Sequence, residues 1–151
     1  MSRRAATRGI VIHRAEVWGP TEYHFVVRRD GSVDSVVPLQ DRAEHALVWN
    51  ATTVAVAFEG CFAAGIKALH ATPTREQLDS GEALIRGLLW WYGPRWLFVR
   101  GHTELGPTAT RFLEKLVTSP PEADQSCPGT RFPLDTFRSA CLTPWWPDGA
   151  H

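Results

Sequence analysis

The run TTVAVAFEG at residues 52–60 most constrains this chain, because nothing polar interrupts it between Thr53 and Glu59. Its β-branched and small residues mark a strand. Three further β-rich stretches accompany it. GIVIH (9–13) is a short apolar run closing on a polar residue, as a buried strand does. YHFVVRRDGSVDSVVPL (23–39) reads as a hairpin whose halves meet at Asp30-Gly31. RWLFVRGH (95–102) is a strand ending at His102. Between these lies a helix that Thr74 can cap, with Gln77 completing a capping box. Leu78, Ile85, Leu88, Leu89 and Tyr92 form its apolar stripe, and Gly93-Pro94 stops it. TATRFLEKLVTS (108–119) reads as a second helix, ended by Pro120-Pro121. Strands first, then helix, strand and helix predict a single α/β or α+β domain with helices flanking a central β-sheet.

With 151 residues the chain can bury one core without staples. The expected divisions are a flexible N-terminus (1–8), a folded domain (9–140) and a Trp/Pro-rich irregular tail (141–151). Formal net charge is zero, so no basic excess exists to neutralise nucleic-acid phosphates or an anionic membrane surface. No run approaches the roughly 20 apolar residues of a membrane span. MSRRAATRG is basic, but the apolar run behind it (Ile10 to Ile12) is too short for a signal-peptide core, so a cytoplasmic product is expected. The three cysteines, Cys61, Cys127 and Cys141, cannot all pair, which favours free thiols.

One thiol is oddly placed. Cys127 stands directly before the Pro128-Gly129 turn, whereas a structural cysteine usually hides in a strand or helix. Two histidines share a placement: His13 closes GIVIH, and His102 closes LFVRGH after a glycine. Adjacent strands ending at one sheet edge would bring both imidazoles together, with Cys127 as third member. Two imidazoles and a thiolate form a known type of catalytic zinc site with a fourth position left for water. Each residue also has a plainer reading, a strand-end histidine packed or at the surface, a cysteine buried as a small hydrophobe. Spacing alone leaves both open.

IVIH, YHFVVRRDGSV, HA followed by Asn50, VAVAFEG, TREQL, GH and SCPG follow one another in order over residues 9 to 137. Together they resemble the zinc-dependent N-acetylmuramoyl-L-alanine amidases of the phage-lysozyme and peptidoglycan-recognition-protein type. The resemblance implies that fold, with Zn2+ held by His13, His102 and Cys127. It implies that Tyr23 stands beside the metal-bound water, a tyrosine associated with amidase activity in the family. His45 in EHALVWN would serve as substrate contact or proton carrier, and Trp49 and Asn50 as contacts to glycan or stem peptide. Each has a packing or loop role as its plainer reading. The implied substrate is peptidoglycan or a muropeptide, cut by a monomer at the lactyl–L-alanine amide, in an endolysin or a recycling enzyme. The alternative is a recognition module that binds peptidoglycan without cutting it.

This sequence departs from the family in three places. Only nine residues separate His13 from Tyr23, too few for the helix that usually walls the substrate groove there. Twenty-four residues separate His102 from Cys127, and the helix expected at 108–119 falls among them. Gln125 stands where the phage enzymes carry a catalytic lysine, offering a neutral donor instead of a full positive charge.

Overall fold

The computed structural model describes residues 2–62, 71–93, 97–106 and 126–143. Five strands form one mixed sheet: β1 (Gly9–Ala15), β2 (Phe25–Val27), β3 (Val33–Ser35), β4 (Thr53–Glu59) and β5 (Phe98–Gly101). Their order across the sheet is β3-β2-β4-β1-β5. β1 runs parallel to both β4 and β5, β2 runs parallel to β4, and only the edge strand β3 is antiparallel. The hairpin closes as expected: Gly31 takes φ +89°, and Asp30 Oδ1 accepts from the Ser32 backbone N–H at 2.9 Å. A positive φ is where glycine is favoured over any side-chain-bearing residue.

Side chains alternate along the central strands, and the two faces bury different things. Ile10 and Ile12 of β1, Val54, Val56 and Phe58 of β4, and Val27 of β2 join the main core. Two helices cover that face: α1 (Arg75–Tyr92) and α2 (Leu134–Leu142). α1 begins as the sequence predicts, with both hydrogen bonds of the Thr74–Gln77 box present, and ends at Gly93 (φ +98°). Gln77 does more than cap. Its side-chain amide, fully buried, donates at 2.9 Å to the carbonyls of Val27 and Glu59, tying α1 to β2 and β4. α2 answers no expectation from the sequence. It sets Phe137 edge-on to Phe58 and buries Cys141, so helix occupies positions 141 and 142 where the irregular tail was expected to start. The expected helix at 108–119 and the rest of the tail from 144 lie outside the described residues.

On the opposite face Val11, Ala15, Val26 and Ala57 pack beneath loops, with Ala46, Leu105, Trp49, Trp18 and Tyr23. His13 shares the parity of Val11 and Ala15, so it belongs to this face. Residues 2–8, expected to be flexible, are hydrogen-bonded along the sheet's start. Arg4 gives its Nε–H to the Leu39 carbonyl at 2.6 Å and an Nη–H to the Tyr92 hydroxyl at 2.9 Å. The backbone N–H groups of Ala5 and Arg8 each donate at 2.7 Å to Ala51 and Thr52.

Candidate metal centre

Parallel pairing of β1 with β5 sets Ile12 opposite Gly101. One step further along each strand stand His13 and His102, with ring centroids 4.7 Å apart. The strand-end expectation holds for His102, which directly follows β5, but not for His13, since β1 continues through Arg14 to Ala15. It is the parallel pairing that brings the two rings together. His102 opens a 3-10 turn (His102–Leu105). The next residue, Thr103, holds the third member. Its Oγ1 accepts from the Cys127 backbone N–H at 2.6 Å, and its own N–H donates to the Cys127 carbonyl at 3.0 Å. Gly101 makes room for this approach, since a Cβ there would lie 2.9 Å from Pro128 Cδ and Leu134 Cδ2. The Cys127–Pro128 peptide is cis.

His13, His102 and Cys127 each offer one ligand atom within 4.8 Å of the others, and they are the metal-capable group among the described residues. His13 Nδ1 lies 3.8 Å from Cys127 Sγ. Tetrahedral zinc with bonds of about 2.0–2.3 Å would set nitrogen and sulfur roughly 3.5 Å apart, so the donor set fits such an ion. Burial, together with the neighbouring His45 and His102, pushes the His13 pKa well below its ordinary value. A neutral imidazole is the form that ligates metal.

The other candidate residues surround this cluster unevenly. Tyr23 stacks obliquely on His13 at 5.2 Å between centroids, and its hydroxyl donates a long 3.5 Å bond to the Arg14 carbonyl. Burial first, and the Cys127 thiol second, raise its pKa, so the phenol keeps its proton. Two residues apart, Tyr23 and Phe25 would share a face if both lay inside β2. They do not: Tyr23 precedes β2 and packs with Ala57 and Val37, whereas Phe25 joins the main core.

His45 is 8% exposed and reaches His13 directly, its Nδ1 2.8 Å from His13 Nε2. Its own Nε2 lies 3.1 Å from Thr53 Oγ1. With both nitrogens engaged inside the protein, His45 is not placed as a fourth metal ligand. Asn50 turns its Oδ1 inward to accept from the His45 and Ala46 backbone N–H groups at 3.1 and 2.7 Å. Trp49 packs edge-on against Phe98 at 5.8 Å. These two residues brace the 45–50 loop. His24 is held within the fold, with Nδ1 accepting from the Ala55 N–H and Nε2 donating to the Asp41 carbonyl. Gln125 lies outside the described residues. Residues 16–24 form no helix, as the short His13–Tyr23 spacing requires. Thr103 and Thr53 are the site residues that reading the sequence missed, since a threonine's hydrogen-bond partner leaves no mark on its neighbours.

The family model for N-acetylmuramoyl-L-alanine amidase matches residues 3–130. The chain belongs to this family. No curated protein matches the sequence of this amidase. Among solved structures, its fold is similar to the N-acetylmuramoyl-L-alanine amidase LysC from Clostridium intestinale, with TM-score 0.64 and 23% identity over 88% of this chain and 83% of that one. It is similar to the amidase AmiD from E. coli in complex with anhydro-N-acetylmuramic acid-L-Ala-D-gamma-Glu-L-Lys, with TM-score 0.63 and 18% identity over 95% and 60%. Drosophila peptidoglycan recognition protein SD follows, with TM-score 0.55 and 16% identity over 83% and 88%. At such identities the likeness is one of fold. No helix among the described residues is long and apolar enough to cross a membrane.

Proposed function

We propose that this amidase hydrolyses the bond between N-acetylmuramic acid and L-alanine of peptidoglycan or a muropeptide, using zinc held by His13, His102 and Cys127. The observation that carries the reading is the convergence of two imidazoles and a thiol within 4.8 Å at one sheet edge. Zinc in such a set supplies water activated at neutral pH and a Lewis acid for the scissile carbonyl. The chain's residues supply the rest. His13 and His102 bind as neutral rings and Cys127 as a thiolate. The protonated Tyr23 phenol, against His13, donates to the oxygen that gains charge as the carbonyl is attacked. Gln125 offers a neutral donor beside Cys127 in the sequence, so activity below that of lysine-bearing relatives is the expected consequence.

The order of its motifs resembles the phage-lysozyme type of amidase, and endolysins from Clostridium intestinale and from a Thermus bacteriophage have a similar fold. We therefore place it, as a monomer, in cell-wall lysis, with muropeptide recycling as the competing role. Purified protein incubated with muropeptides, with and without chelator, tests the activity, and metal analysis of the same sample tests the cofactor. One zinc per chain and chelator-sensitive release of stem peptide are expected. Zinc-loaded protein that retains muropeptides on pull-down and releases no peptide would overturn the hydrolytic reading in favour of recognition alone.

A further inference from the structure

We propose that Thr53 and His45 form a positioning relay that holds His13 in its Nε2–H tautomer, leaving the Nδ1 lone pair directed at the Cys127 side. The direction of each hydrogen bond follows from the one before it. The Trp49 carbonyl can only accept, so the Thr53 hydroxyl, 2.7 Å away, gives its proton there. Thr53 Oγ1 then has only lone pairs to offer His45 Nε2 at 3.1 Å, so that nitrogen is the N–H donor. A neutral His45 with a protonated Nε2 has a bare Nδ1. His13 Nε2, 2.8 Å from it, must therefore carry a proton. That leaves His13 Nδ1 unprotonated, and this is the nitrogen lying 3.8 Å from Cys127 Sγ.

Burial keeps the relay free of competing water. Thr53 is 0%, His13 2% and His45 8% exposed. Both rings are buried from water and hydrogen-bonded to uncharged partners, surroundings that favour the neutral imidazole. The surrounding loop is built around His45. Asn50 Oδ1 takes the N–H groups of His45 and Ala46, and Leu47 accepts φ +50°, a conformation unfavourable for a residue with a side chain. Thr53 is the first residue of β4, so a central strand anchors the far end of the relay. A ligating histidine whose other ring N–H is held by a partner binds metal more tightly, and loss of that partner typically costs about 10–100-fold in affinity.

The consequence for metal rests on the reading of His13 as a ligand, but the tautomer belongs to the metal-free protein and is tested there. Long-range proton–nitrogen NMR correlations on histidine-labelled, metal-free protein report which ring nitrogen carries the proton. Wild type is expected to show Nε2–H for both His13 and His45. Thr53→Val, which removes the hydroxyl at nearly constant shape, is expected to mix the His13 tautomers. It should also weaken zinc binding about 10-fold in chelator competition, with Thr53→Ser restoring both. His45→Asn retains an acceptor near the Nδ1 position and should preserve the His13 tautomer, whereas His45→Ala should not. An Nδ1–H His13 in wild type would overturn the relay, as would a folded Thr53→Val protein with unchanged tautomer and zinc affinity. Wild type that shows the expected tautomers yet binds no zinc would overturn the metal reading and leave the relay standing.

Discussion

Thr103 and Cys127 exchange two hydrogen bonds: the Cys127 N–H donates to Thr103 Oγ1 at 2.6 Å, and the Thr103 N–H donates to the Cys127 carbonyl at 3.0 Å. Thr103 follows His102 directly, so one residue fixes the loop carrying the thiol to the turn carrying an imidazole. Thr103→Val keeps the backbone bond and the side-chain shape but removes the acceptor. The expected result is a folded protein whose zinc affinity falls about 10-fold, with Thr103→Ser close to wild type. Competition against a zinc-sensitive dye measures it, and equal affinities for the two variants would show that the hydroxyl does not position the thiol.

Gly101 supports the same junction by its lack of a side chain. A Cβ at this position would lie 2.9 Å from Pro128 Cδ and Leu134 Cδ2 and 3.2 Å from the Cys127 carbonyl oxygen. Its φ of −70° is ordinary, so the constraint is space and not backbone conformation. Gly101→Ala must push the Cys127–Pro128 segment and α2 away from β5. Overpacking of this kind costs typically about 1–3 kcal/mol. Thermal melts should show a lower Tm, together with weaker zinc binding. A Tm equal to wild type would mean that the loop moves aside freely.

The meeting of His13 and His102 was legible only in part. LFVRGH announces where β5 stops, but β1 runs two residues past His13 to Ala15, and it is the parallel pairing of β1 with β5 that brings the two rings together. Cys127 was legible from its turn. Alternation does not extend to Tyr23, because it holds only inside a strand and β2 begins at Phe25. α2 escaped because nine residues burying only Phe137 and Cys141 leave too little periodicity to read. Asn50 matched a substrate contact by position, yet its Oδ1 turns inward to two backbone N–H groups. Residue type states what a side chain can donate or accept; only the fold decides toward what.

Tyr23→Phe separates chemistry from architecture. The hydroxyl makes only a 3.5 Å bond to the Arg14 carbonyl, so its removal should barely alter Tm or zinc content. As donor to a developing oxyanion it should matter far more, with kcat reduced about 100-fold. Because burial and the Cys127 thiol raise its pKa above the ordinary tyrosine value, its ionisation should contribute no loss of rate below about pH 10. A basic limb with a midpoint below that, present in wild type and absent in Tyr23→Phe, would contradict the raised pKa.

His24 predicts how the metal-free protein responds to acid. The ring is fully buried, with Nδ1 accepting from the Ala55 N–H at 2.9 Å and Nε2 donating to the Asp41 carbonyl at 2.8 Å. A proton added at Nδ1 would face another donor. Burial is the main cause that lowers its pKa to about 4, and the bond to Asp41 only partly opposes this. A depressed histidine pKa means that the unfolded chain binds the proton first, so stability rises with pH across the gap. The contribution is complete above about pH 6.5 and is lost as pH falls toward 4, at up to about 1.4 kcal/mol per pH unit. Denaturant melts between pH 7 and 5 should show that decline, to which His13 and His45 add in the metal-free state. NMR titration isolates His24, whose ring signals should hold steady down to about pH 5; a midpoint near 6.5 would refute the assignment.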